Sequence, residues 1–266
     1  ETDHQRRIVT VFGGKLTESG HEVRVIVESA AGQLWAGTGK GLLLLEPAGG
    51  RFRHLLPDPD AASPYNRDIR QVLEEEDGSL WLATTGGLAR WDPRTGSLAA
   101  DILPAAVRRL AVRDLIKDHR GTLWMTLPGQ GVGAYDIRSR QFRHLTYQPD
   151  RHNSLNNNDV EYLLADQFHN IWACTVNGLC KIRVDESGFR LLQNEAGFDN
   201  LSNQVQRVLQ TKEGVLWSTT PRGLYRLEKG QSQGSRVSFP AAGEAPGDWL
   251  LEDADGGFWL PGRTRG

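Results

Sequence analysis

One short phrase ending in tryptophan occurs six times along this chain of 266 residues. Subtraction of the tryptophan positions gives intervals of 46, 43, 48, 45 and 42 residues. The six residues are Trp35, Trp81, Trp124, Trp172, Trp217 and Trp259. A period of about 40–45 residues with glycine turns and short apolar runs is the length of one four-stranded propeller blade. We therefore predict an all-β fold: a β-propeller of four-stranded antiparallel blades, with six repeat modules and the last one incomplete.

Each module has the same internal order. An apolar strand precedes the tryptophan, and a polar turn separates the two. Six residues before each tryptophan stand Ser29, Glu75, Asp118, Asp166, Thr211 and Asp253. Such a side chain accepts backbone hydrogen bonds in a turn, and the glycine that usually follows three residues later takes positive φ. The acidic run Glu74–Asp77 falls in this turn, so we favour solvated turn residues there over a cation site.

The tryptophans are predicted to be core residues. A compact residue follows each of them two positions later, on the same face of the strand, so neighbouring blades can pack closely. A short glycine turn and a third strand come next. The fourth, outer strand is visible in Phe52–Leu55 and again in Phe142–Leu145, where a repeated Arg-His pair is interpreted as edge-strand polarity rather than catalysis.

Charge and composition exclude several classes of function. The formal net charge is −2, which argues against a nucleic-acid surface. No apolar run is long enough for a membrane span. Cys174 and Cys180 flank a predicted hairpin turn, which leaves two alternatives: two separate buried thiols, or a cross-strand disulfide.

The chain divides into an N-terminal segment, residues 1–20, and the propeller, residues 21–266. The run Ile8–Phe12 is predicted to be an outer strand that closes the ring. Because the last module stops before its third strand, we expect the natural protein to continue beyond Gly266.

The repeat resembles the two-component regulator propeller repeat. The similarity is clearest in Gly32–Thr38 with Gly41-Leu42, and in Asp77–Thr84 with Gly87-Leu88. The resemblance implies the periplasmic sensing region of a membrane-bound histidine kinase, hybrid regulator or diguanylate cyclase. It also implies that this region is not catalytic, that it meets the membrane only through flanking segments, and that a homodimer would form through the full-length receptor.

Two sets of loops are predicted to meet at one rim of the propeller: the connector entering each inner strand, and the turn after each tryptophan strand. Their amides and charges suit a polar small molecule or an oligosaccharide, with no cofactor and no metal. The candidate ligand-binding residues are Lys40, Arg67, Asp68, Gln130, Asn158, Asp159, Asn177, Asn203, Arg222 and Arg265.

Two other functions stay open. A propeller enzyme, such as a lyase or glycan hydrolase, would need a converging acid and base. Of the seven histidines only His21 and His152 are expected near the ligand rim, and no catalytic residue can be identified. A protein-interaction platform would use the long connectors instead.

Overall fold

The computed structural model describes residues 22–29, 32–46, 51–55, 68–99, 102–150, 154–183, 188–192, 201–229, 231, 233–237, 250–252 and 258–259. Within these ranges the secondary structure is almost entirely strand, and the one helical element is a 3-10 turn, Leu201–Asn203. The predicted closing strand Ile8–Phe12 and the end of the last module lie outside the described residues.

The strands group by module. Blade 1 contains β1 (Val23–Glu28), β2 (Leu34–Thr38), β3 (Gly41–Glu46) and β4 (Arg51–His54). Blade 2 contains β5 (Ile69–Glu74), β6 (Leu80–Thr84), β7 (Gly87–Asp92) and β8 (Ser97–Ala99). Blade 3 contains β9 (Leu115–Lys117), β10 (Thr122–Leu127), β11 (Gly131–Asp136) and β12 (Phe142–Leu145).

The pattern continues to the end of the described chain. Blade 4 contains β13 (Val160–Ala165), β14 (Asn170–Thr175), β15 (Gly178–Arg183) and β16 (Gly188–Leu192). Blade 5 contains β17 (Arg207–Gln210), β18 (Leu216–Thr220), β19 (Gly223–Leu227) and β20 (Ser235–Arg236). The sixth module shows β21 (Leu251–Glu252) and β22 (Phe258–Trp259).

Every four-stranded sheet is antiparallel and follows the order of the chain. The first strand of each blade lies beside the first strand of the next, from β1 through β5, β9 and β13 to β17. These inner strands line the central channel of a propeller. The predicted fold class is confirmed, with five four-stranded blades and a paired sixth module.

The acidic side chain in the turn before several of the tryptophans also accepts a hydrogen bond from the indole N–H. The Asp118 carboxylate accepts the backbone N–H groups of Arg120 and Thr122, both at 2.9 Å. Its other oxygen accepts the indole N–H of Trp124 at 2.8 Å. Asp166 holds Trp172 in the same way, and Glu75 holds Trp81. An acidic side chain at this position therefore fixes the turn and satisfies a buried indole nitrogen together.

The tryptophans lie between blades, as predicted. Trp35 contacts Trp91 of blade 2 edge-on, with ring centroids 5.8 Å apart. Trp81 contacts Tyr135 of blade 3 in the same manner at 6.4 Å. The indoles of blades 1 to 4 are buried, whereas Trp217 is half-buried. Each buried indole therefore joins its own blade to the next one.

The two cysteines are separate buried thiols. The alternative of a cross-strand disulfide is wrong, because the β14–β15 register pairs Cys174 with Leu179 and Cys180 with Ala173. Cys174 packs with blade 5, whereas Cys180 packs with blade 3. The two side chains therefore lie on opposite faces of the sheet.

Candidate functional site

The two predicted loop sets meet at one rim. The turn of blade 2 donates from Thr85 N to Asp68 O at 3.3 Å, and the turn of blade 4 donates from Val176 N to Asp159 O at 3.3 Å. A bond from Gly131 N to Asn158 O, at 2.9 Å, ties the turn of blade 3 to the connector entering blade 4. We call this edge of the propeller the upper rim.

A buried threonine ends the second strand in four blades and holds the upper-rim turn. Thr175 Oγ1 donates to Gly178 O at 2.8 Å and accepts the Asn177 N–H at 3.1 Å. The equivalent residues are Thr38, Thr84 and Thr220. The same bond fixes the backbone of Lys40 and Arg222, at 3.1 Å in both cases. These turns therefore present their outer side chains from a rigid frame.

Eight of the ten candidate site residues lie within the described part of the chain, and all eight are on the upper rim or directly below it. The exposed ones are Lys40, Gln130 and Arg222. The half-buried ones are Asp68, Asn158, Asp159 and Asn177. Asn203 is fully buried, so we leave it out of the site. Arg67 and Arg265 lie outside the described residues.

Sequence reasoning missed the most prominent charged group at this rim. In blades 1, 2 and 4 the register shifts near the start of the inner strand, leaving Arg24, Arg70 and Glu161 as extra residues outside the regular pairing. A β-bulge of this kind redirects a side chain. Arg113 occupies the equivalent position in blade 3. We call these four residues the collar.

Ion pairs join the collar across blades. Arg24 contacts Asp68 of blade 2 at 3.3 Å, and Arg70 contacts the other oxygen of the same carboxylate at 2.6 Å. Arg113 pairs with Glu161 of blade 4. The side chains of the four collar residues are between 28% and 41% exposed, so water and solutes reach them.

Below the collar, the next residue of each inner strand forms a buried polar layer. Asp114 accepts the Gln71 amide at 3.2 Å and the backbone N–H of Leu163 at 2.8 Å. The guanidinium of Arg207 lies over the Tyr162 ring, 4.6 Å from its centroid. Burial raises the pKa of Asp114. The pKa of Tyr162 is raised to about 12, mainly by burial and further by the negative charge of Asp114 nearby. This layer forms a polar floor beneath the collar.

The sequence contains a pattern that marks both the collar and the buried polar layer below it. Counting back eleven residues from the tryptophans of blades 1 to 5 gives Arg24, Arg70, Arg113, Glu161 and Gln206. Counting back ten gives Val25, Gln71, Asp114, Tyr162 and Arg207. Polar residues recur at two adjacent positions of a strand that is otherwise apolar, and that recurrence marks the channel wall.

The opposite end of the channel has a different character. The position seven residues before the tryptophan carries Glu28, Glu74, Lys117, Ala165, Gln210 and Glu252. His119 and His169 stack in the turns of this lower rim, as expected, with ring centroids 3.7 Å apart. Among the residues that the structure describes, no group of three or more His, Cys, Asp or Glu could hold a metal ion. None of the described helical segments is long and apolar enough to cross a membrane.

Comparison with known proteins shows the fold. No family model matches the chain, and no curated protein is similar to it in sequence. The extracellular domain of a hybrid two-component system protein from B. thetaiotaomicron superimposes with a TM-score of 0.70 and 17% identity. That match covers 92% of this chain and 33% of the ectodomain, so the chain spans about a third of the length of that ectodomain.

Propellers with enzymatic activity are similar as well. A catalytically inactive variant of virginiamycin B lyase from Staphylococcus aureus, with quinupristin, matches with a TM-score of 0.68 and 14% identity over 92% of this chain and 79% of the lyase. An ancestral GH74 enzyme matches with a TM-score of 0.62 and 12% identity, over 82% of this chain and 31% of the enzyme. These similarities establish a propeller and leave the function to the site.

Proposed function

We propose that this chain is a non-catalytic ligand-sensing propeller, the extracytoplasmic recognition part of a transmembrane signalling protein. The observation that carries the proposal is the collar. The inner strands of three blades bulge at the residue that would otherwise continue the pairing, and each bulge presents a charged side chain at the channel mouth. Bulges are common at the rims of β structures and next to active sites, where they redirect a side chain.

The surrounding rim supports a polar ligand, either a small molecule or an oligosaccharide. Lys40 and Arg222 extend from turns whose backbone is fixed by buried threonines. Asn158 and Asp159 lie at the entrance to blade 4. Fixed donors and acceptors around a concave mouth provide orientation and specificity for such a ligand.

The described histidines lie away from the collar, and His21 and His152, which were expected near the ligand rim, lie outside the described residues. His54 and His144 lie on outer strands, and His119 and His169 lie on the lower rim. None of these four is at the collar, where an acid and a base would have to converge on a substrate. A periplasmic location and signalling through an output domain are part of the same proposal, and similarity to the two-component ectodomain supports them.

A ligand screen tests the proposal. Polar metabolites and oligosaccharides are added to the purified chain, and its melting temperature is recorded, because a ligand that binds only the folded state raises it. The strongest binder is then titrated into Lys40→Glu and Arg222→Glu. Lys212→Glu, on the lower rim, is the matched control. We expect weaker binding to both upper-rim variants and unchanged binding to the control; equal affinities in all three would refute the placement.

A further inference from the structure

The two ends of the channel carry different charged residues. At the upper end, the collar position supplies three arginines and one glutamate in blades 1 to 4. At the lower end, the position seven residues before the tryptophan supplies two glutamates and one lysine in the same four blades. The chain as a whole has a formal charge of only −2, so this separation reflects the arrangement of the residues. Three guanidinium groups therefore lie at the upper mouth, where the carboxylates of Glu22, Asp68 and Glu161 balance their charge.

The collar arginines already hold carboxylates. Asp68 is shared between Arg24 and Arg70, at 3.3 and 2.6 Å, and Glu161 pairs with Arg113. The Nε of Arg70 is buried and has no hydrogen-bond partner among the described residues. Guanidinium groups bind carboxylates through paired, planar hydrogen bonds. The mouth is therefore arranged for carboxylate groups, and the chain itself supplies three of them, those of Glu22, Asp68 and Glu161.

We propose that the ligand of the collar is a carboxylate-bearing small molecule, an organic acid or an acidic sugar. This inference rests on the proposed ligand-sensing function and specifies its ligand class. The ligand carboxylate pairs with Arg113 and Arg70 in place of Glu161 and Asp68, whose side chains are 35% and 16% exposed. The protein carboxylates keep the arginines in position while the site is empty, and they compete with the incoming anion.

Because Glu161 competes with the ligand for Arg113, removing the Glu161 charge should strengthen ligand binding. Removing its charge in Glu161→Gln leaves the size of the side chain nearly unchanged and frees Arg113 from its partner. We therefore expect Glu161→Gln to bind a carboxylate ligand several-fold more tightly than the parent. Arg113→Gln should bind it at least about tenfold more weakly, the effect of losing a charge-assisted pair worth about 1.4 kcal/mol. If the Arg113–Glu161 pair were purely structural, both substitutions would change the affinity for the carboxylate in the same direction.

The experiment compares each carboxylate with its methyl ester, which removes the negative charge and adds only a methyl group at each carboxyl. Citrate is compared with trimethyl citrate, and glucuronate with its methyl ester, by calorimetric titration of the parent chain at low and at physiological salt. We expect at least one carboxylate to bind, its ester to fail, and the affinity to fall as salt rises. The titration is repeated with Arg113→Gln and Glu161→Gln, and with Lys117→Gln at the lower end as the matched control. Circular dichroism confirms that each variant is folded.

The outcomes separate the two proposals. If esters or neutral sugars bind and carboxylates do not, the sensing proposal survives and the carboxylate inference is wrong. If no compound of either kind binds, the sensing proposal loses its support as well. Carboxylate binding that is unchanged in Arg113→Gln, or weakened in Glu161→Gln, would also overturn the inference.

Discussion

The carboxylate of Asp114 accepts the backbone N–H of Leu163, a residue of the next blade, at 2.8 Å. Gln71 of the preceding blade donates to the other oxygen at 3.2 Å. One buried side chain therefore links the inner strands of three blades, whereas the backbone ladders among the described strands all run within single blades. The channel wall is held at this level by a polar contact as well as by apolar packing.

Replacing Asp114 should show how much this link contributes. In Asp114→Ala the N–H of Leu163 is left buried without an acceptor, which costs about 1–3 kcal/mol. Asp114→Asn keeps a carbonyl oxygen at the same place and should cost less. The free energy of unfolding in urea, measured for both variants, checks the order. Equal losses would show that the Leu163 contact contributes nothing.

Asp114 should also make the free energy of unfolding depend on pH. Burial raises the pKa of Asp114 in the folded protein above its ordinary value of 3.8. A raised pKa means that the folded state binds this proton more tightly than the unfolded state. The stabilisation from this proton is complete at pH values below the unfolded-state pKa of Asp114. It is lost as the pH rises through the pKa of Asp114 in the folded protein. The stability of the parent relative to Asp114→Asn should therefore increase as pH falls toward 3.8. A difference that is constant with pH would contradict this.

A stabilising substitution follows from comparing the blades. The indole nitrogen of Trp35 is buried and has no hydrogen-bond partner, and the residue six positions earlier is Ser29. Asp118 and Asp166 hold the equivalent indoles at 2.8 Å. Ser29→Asp should supply the missing acceptor and stabilise the protein by about 1 kcal/mol, the usual net value of one hydrogen bond.

The matched control for Ser29→Asp is the opposite substitution in blade 3, Asp118→Ser. Asp118→Ser removes the acceptor from Trp124 and should destabilise blade 3. Thermal unfolding of the two variants beside the parent gives the answer. A Ser29→Asp protein that melts at or below the parental temperature would show that the indole does not need this partner.

Trp81 should be among the residues least tolerant of truncation. It is 3% exposed, contacts Tyr135 of blade 3, and donates to Glu75 at 2.9 Å. Trp81→Ala leaves a cavity between two blades, which typically costs about 3–5 kcal/mol. The urea midpoint measures the loss. Unfolding within error of the parent would mean that the indole is not a core residue.

The thiols give a rapid check of the register. Burial raises the pKa of Cys180 to about 12 and that of Cys174 well above its usual value. Reactivity requires the thiolate, so neither should react with a thiol reagent in the folded protein. Both should react once the chain is unfolded in denaturant without a reducing agent. Absence of reaction after unfolding would reveal a disulfide and contradict the β14–β15 pairing.

Periodicity predicted the blades because each blade repeats one local arrangement. The interval between tryptophans, and the acidic residue six positions before several of them, are properties of single modules that can be read from the chain. Asp118 was correctly assigned to a turn on this basis. Its bond to the Trp124 indole was not foreseen, since it depends on how the strand returns past the turn.

The collar was missed for a different reason. A bulge is a shift in pairing between two strands, and Arg70 looks like an ordinary strand residue until its partners are known. The pairs Arg24–Asp68 and Arg113–Glu161 join residues of different blades, more than 40 positions apart. Cys174 and Cys180 show the same limitation, because their faces depend on the hairpin register. Contacts between modules cannot be derived from the pattern within one module.

The most direct test of the ligand-sensing account is a crystal structure of the chain with the strongest binder from the screen. The account predicts electron density for the compound at the upper mouth of the channel, in contact with Arg70 and Arg113 and above the Asp114 layer. Density on the outer strands, or at the lower rim beside Glu74, would contradict it.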